Sequence, residues 1–82
     1  MNIEAVIERY ILDQIMLADH GTNIDPDQSL LTSGIIDSLA LLRLISFLEE
    51  QFGLKVEDEE VVPQNFETIN VIKSFVQSKS PQ

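Results

Sequence analysis

Apolar side chains recur at helical spacing at the start of the chain. Ile3, Val6, Ile7, Tyr10 and Leu17 fall on one face, which predicts a helix over 3–18. Glu4 and Glu8 stand near its start, where the positive end of the helix dipole favours carboxylates. The following "DHGTNIDPDQS" gathers Gly, Asn, Asp, Pro and Ser and reads as the opening of a turn-rich loop that runs to Asp37. Ile24, Leu30, Leu31, Ile35 and Ile36 would tack this loop onto the core, because otherwise these large apolar groups would face water.

Residues 38–52 carry the most regular pattern. At ~100° per residue, Leu41, Leu44, Ile45, Leu48 and Phe52 share a face assigned to the core. Leu39, Leu42, Arg43, Ser46 and Glu50 take the other. Gly53 follows at the position where helices end in a left-handed residue. The acids 57–60, between Val56 and Val61, suggest a short helical turn ended before Pro63. Thr68 can cap a last helix whose Ile69, Ile72, Phe75 and Val76 form one stripe, and "QSKSPQ" has nothing to bury. The expected fold is all-α: a small four-helix bundle of three main helices and one short one, with a long loop between helices 1 and 2. One domain over 1–78 and a flexible tail over 79–82 complete the reading.

Charge and composition narrow the chemistry. Fourteen acids against five bases give a net charge of −9, which repels nucleic acid and an anionic membrane surface and steers partners with basic docking surfaces. With no cysteine there is neither a disulfide nor a thiolate metal site. No apolar run is long enough to span a bilayer, and "MNIEAVIERY" lacks the basic start of a signal peptide, so the expected home is the cytoplasm; the charge and small size make a monomer the expected state. Enzymatic use of Ser38 would need a base beside it, yet the lone histidine, His20, sits in the loop and no Gly-x-Ser-x-Gly elbow surrounds Ser38. The carboxylates at 57–60 point in different directions and lack the alternating pattern of a calcium loop, so no metal site is assigned.

That leaves "GIIDSL", residues 34–39, where an acid and a hydroxyl stand side by side at the mouth of the clearest helix. Asp37 or Ser38 could simply cap it. Two exposed leucines, Leu39 and Leu42, beside an unengaged serine are more apolar surface than solubility would choose. The stretch "DQSLLTSGIIDSLALLRLISFLEEQFG" resembles the core of the carrier-protein family, which comprises acyl, peptidyl and D-alanyl carrier proteins, and the likeness runs from Asp27 to Phe75. It rests on Asp37-Ser38-Leu39 joined to Asp27, Leu30, Leu31, Gly34 and the two-faced helix.

The resemblance implies a stand-alone, non-catalytic carrier. Ser38 would carry 4′-phosphopantetheine, attached from coenzyme A by a phosphopantetheinyl transferase, and the arm's thiol would hold an acyl or aminoacyl group as a thioester. A chain with no cysteine would thus borrow its thiol. Asp37 would cap the helix and contact the transferase; Leu39, Leu42, Arg43, Glu49 and Glu50 would form the docking face for that enzyme, a loading ligase and downstream biosynthetic enzymes. Fatty-acid-synthesis carriers usually read Gly-x-Asp-Ser, whereas here the loop is one residue longer, position 40 is Ala and Arg43 interrupts the acidic face. These departures point to a specialised pathway. The alternative is an unmodified helical module that binds a partner through Leu39 and Leu42. Leu44, Leu48, Ile69 and Ile72 would suit an apolar cargo inside the bundle, and would equally fill any core.

Overall fold

The computed structural model of the chain describes residues 2–17 and 23–79. Helix α1 spans Ile3–Tyr10 and continues as a π-helical turn, Ile11–Ile15. Helix α2 spans Ser38–Phe52, a 3₁₀ turn covers Asp58–Glu60, α3 is the short Pro63–Phe66, and α4 runs Ile69–Lys79. Among the described residues there is no strand, and no helix is long and apolar enough to cross a membrane. The all-helical bundle with one long first loop matches the expected architecture. His20 lies outside the described residues.

The first helix departs from its predicted end. The Met16 N–H bonds the Ile11 carbonyl at 2.8 Å, a bond across five residues that widens the last turn and rotates the residues after it. Leu17 therefore leaves the apolar face on which a 3.6-residue period placed it. It is 80% exposed with φ +53°, while Ile7 and Ile11 supply the fully buried contacts of this segment. A carboxylate at Glu4 lies 4.0 Å from Lys73 where α1 packs on α4.

The core is continuous through all the helices. Ile7, Ile11, Leu30, Leu44, Leu48, Phe66, Ile69, Ile72 and Val76 are all sealed from solvent. On α2 the buried stripe is Ala40, Leu44, Ile45 and Leu48; Leu41 and Phe52, expected on the core face with them, are its half-buried flanks. The loop is tacked down as expected by Ile24, Leu30 and Ile36, with Leu31 and Ile35 packed at the edge.

Two local structures were not foreseen. Pro63 does more than end the acidic turn: it occupies the first position of α3, where its fixed φ suits a helix and its missing N–H costs nothing. The fourth short helix is therefore 63–66, next to the acidic 3₁₀ turn rather than identical with it. At the other end, α4 reaches Lys79, whose ammonium binds Glu60 Oε1 at 2.8 Å, so the expected tail boundary at 79 falls inside the helix. That ammonium, with the Glu57 N–H, holds the Glu60 carboxyl below the usual carboxylate range. Thr68 caps α4 as predicted, its Oγ1 accepting from Val71 N at 3.1 Å.

Candidate modification site

The loop before α2 is stitched at both ends and in the middle, and so delivers Ser38 at a fixed place. Glu8 Oε2 accepts from Ile24 N at 2.9 Å. Asp27 Oδ1 accepts from Asn70 Nδ2 at 2.7 Å, and the Asn70 N–H donates to the Pro26 carbonyl at 3.0 Å. Glu67 makes the central clasp. Its carbonyl accepts from Leu30 N at 2.7 Å, and its carboxylate accepts from the hydroxyls of Ser29 and Thr32. Donation from Ser29, with that from Thr32 behind it, lowers the Glu67 pKa against a smaller opposing effect of burial. Leu30 then accepts from Ile36 N at 3.0 Å, closing the turn through Gly34, whose φ of +84° suits a residue without a Cβ.

Asp37 settles who caps the helix. Its carboxylate accepts from Ala40 N at 2.8 Å, its carbonyl accepts the first helical bond from Leu41 N at 2.8 Å, and its φ/ψ of −93°/−174° is extended. Ser38 is therefore the first helical residue, exposed, with the cap duty already taken by its neighbour. The first N–H groups of α2, those of Ser38 and Leu39, have no place in the helical ladder and sit at its positive end. An anion esterified to Ser38 would meet that end directly. On the ground of donor chemistry the site fits a phosphodiester: an accessible primary alcohol beside helix-terminal N–H groups, with Arg43 five residues further along the helix.

The residues expected to form a docking face separate. Leu39 and Leu42 are 69% and 58% exposed, an apolar pair on the outer face next to Ser38. Arg43 and Glu50 are exposed on the same helix. Arg43 reaches across to α1, donating from Nη2 to the Gln14 carbonyl at 3.2 Å. Glu49 has a different task, being half-buried with Oε2 accepting from Val56 N at 2.9 Å, where it holds the chain after α2. The charged rim is thus carried by Glu50. Sequence reasoning missed Ile15 and gave Ile35 only to the core; both meet Leu39, Ala40 and Arg43 in a hollow of about 200 Å³ beside Asp37. It also missed the Tyr10–Phe47 stack, with centroids 4.1 Å apart and planes at 18°. Phe47 lies between the two helical stripes and carries no pattern signal of its own.

The family described as "Phosphopantetheine attachment site" matches residues 6–76 of the chain. Over 80 residues the chain is 29% identical to an acyl carrier protein of Desulforapulum autotrophicum, covering 98% of this chain and 100% of that one. An acyl carrier protein of Nitratidesulfovibrio vulgaris (strain DSM 19637 / Miyazaki F) is 32% identical over 60 residues, covering 73% of this chain and 76% of its own. Among solved structures, KstB-PCP(apo) superposes with a TM-score of 0.75 at 31% identity, covering 95% of this chain and 88% of that chain.

Proposed function

This chain belongs to the phosphopantetheine-attachment family of carrier proteins, and from that premise we propose that it works as a free-standing carrier whose arm is held by Ser38. Its cofactor is covalently attached 4′-phosphopantetheine, which supplies the thiol that the chain lacks and holds the cargo there as a thioester. The observation that carries the assignment to Ser38 is the division of labour at the start of α2: Asp37 caps, and Ser38 stands exposed at the first helical position. In attachment, Ser38 Oγ gives up its proton and bonds to the pantetheine phosphorus of coenzyme A as the diphosphate bridge breaks and adenosine 3′,5′-bisphosphate leaves. The chain contributes the nucleophile and its placement; the transferase supplies the base. The chain is then a substrate and a carrier rather than a catalyst.

The test is the intact mass after incubation with coenzyme A, magnesium and a broad-specificity phosphopantetheinyl transferase. Gain of one arm per chain, mapped to the Ser38 peptide, is the expected result. An arm on another residue, or none on the folded chain, would overturn the assignment.

Leu39 and Leu42 would be the anchors that the transferase and loading enzymes grip, with Glu50 at the rim. Replacing both leucines by Asp should leave stability within about 1 kcal/mol, about 0.5 for each, since both are exposed. It should lower the transferase kcat/KM by about 30-fold, the equivalent of one interface anchor of ~2 kcal/mol. A transferase rate within threefold of wild type, on the order of 0.6 kcal/mol, would remove these residues from the interface.

We assign the carrier to a specialised pathway because Arg43 stands exposed on the face that would meet basic docking enzymes. A ketosynthase of fatty-acid synthesis should accordingly turn over the Arg43→Glu carrier faster than the wild type. Equal turnover of the two would count against that pathway assignment.

A further inference from the structure

The hollow beside Asp37 is the first of three that run in file along the seam between α1 and α2. Arg43 belongs both to that hollow and to the next, of about 360 Å³, which it shares with Tyr10, Ser46 and Phe47. Tyr10 and Phe47 in turn wall a third, of about 390 Å³, together with Ala5 and Val6. The three therefore form one open groove that starts between Asp37 and Leu39, the residues flanking Ser38, and ends on an aromatic floor. Leu39, Arg43 and Phe47 mark its course at four-residue steps along α2.

Charge and reach fit one occupant. Two arginines and three acids line this groove: Arg9 lies 4.0 Å from Asp13 in the far hollow, Glu50 lines the middle one, and Arg43 is the cation of the two hollows nearer Asp37. Arg43 is held across it by the Gln14 carbonyl and keeps further guanidinium donors in a planar fork suited to a phosphodiester. Nine residues of α2 separate Ser38 from Phe47, about 13.5 Å of helix. A phosphopantetheine arm has about thirteen bonds from phosphorus to sulfur, and at the advance per bond of an extended chain it spans about 16 Å. The thiol can thus lie at Tyr10 and Phe47, with the acyl group in the hollow walled by Ala5 and Val6. By contrast Leu44, Leu48, Ile69 and Ile72 are completely buried in the packed interior, and a cargo there would have to displace them.

We propose that the groove between α1 and α2 is the seat of the loaded arm, with Arg43 beside its phosphodiester and the Tyr10–Phe47 pair beneath a flat, compact acyl group of the aryl type. The inference rests on the reading that Ser38 carries the arm. An open, shallow groove floored by stacked rings favours a planar group, which gains contact over its whole face.

Tyr10 reports on the groove directly, because the chain has one tyrosine and no tryptophan. The chain is loaded by the transferase from coenzyme A bearing a 4-nitrobenzoyl group on its thiol, a contact quencher, and compared with the chain bearing the free-thiol arm. Tyr10 emission should fall about fivefold, against the slight loss expected if a tethered but undocked quencher offered only a mM effective concentration. Ala5→Arg, an exposed and helix-compatible change that fills the far hollow, should restore most of the emission while modification proceeds unchanged. Equal emission with and without the acyl group, on a sample whose mass shows the arm in place, overturns the groove as the seat and leaves the attachment reading intact. So does quenching that persists in Ala5→Arg. A sample whose mass shows no arm overturns the attachment reading and, with it, this one.

Discussion

Ser38→Ala is expected to fold as well as the wild type and to take up no arm at all. Both halves follow from the geometry at the start of α2. Ser38 is exposed, and the donor at Ala40 is already satisfied by Asp37. Alanine is a good helix former at the first helical position, so unfolding free energies of mutant and wild type should agree within about 0.5 kcal/mol. Asp37→Ala removes the cap itself and should cost about 1 kcal/mol. The pair of variants therefore separates the two reasons a chain has to place an acid and a hydroxyl together there. Were Ser38 the working cap, its loss would destabilise and the loss of Asp37 would not. Denaturant unfolding of the two variants, beside the mass of each after treatment with the transferase, reads both quantities. A Ser38→Ala chain that still gains an arm, or one less stable than Asp37→Ala, would reverse the assignment.

What the sequence disclosed and what it hid divide along physical lines. Helix α2 was legible end to end because three independent signals coincide: the apolar stripe, an N-capping acid, and Gly53, which adopts φ +64°. The division between a capping Asp37 and an exposed Ser38 was legible for the same reason, since both are local to that helix start. The end of α1 was not. Leu17 fits a 3.6-residue period, and only the backbone bond from Met16 to Ile11 takes the chain out of that period. Glu49 and Glu67 show a second limit. Glu49 was read as a docking residue and Glu67 carried no signal at all, yet each accepts backbone or hydroxyl donors from another segment, and no local pattern announces a partner 7 to 38 residues away. The groove is a third case, because it is made by two helices facing each other and belongs to neither alone.

Phe66→Ala should be the most destabilising single change in the chain, and it tests how the candidate modification site is held. Phe66 is fully buried at the end of the four-residue α3, with its ring 5.3 Å from that of Phe75 and tilted by 58°. A helix of one turn has no stability of its own, so α3 exists because this ring is packed. Truncating a buried Phe to Ala costs roughly 3–5 kcal/mol, with an aromatic pair of ~0.5–1.5 kcal/mol within that loss. A domain of this size holds only about 4–12 kcal/mol in total. Thermal unfolding followed by far-ultraviolet circular dichroism should therefore drop by 12 °C or more, at roughly 4 °C per kcal/mol. The position matters as much as the amount. The next residue is Glu67, whose carbonyl and carboxylate fasten Leu30, Ser29 and Thr32 of the loop that leads into Ser38. Loss of the Phe66 ring loosens that clasp before it unfolds α2, whose own core contacts through Leu44 and Leu48 remain. Amide hydrogen exchange in the variant should accordingly rise more steeply at Leu30 and Ile36 than at Leu44. A midpoint within about 5 °C of wild type, a cost of roughly 1 kcal/mol, would mean that the loop holds α3 and not the reverse. Equal acceleration at all three amides would show that loop and helix open as one unit.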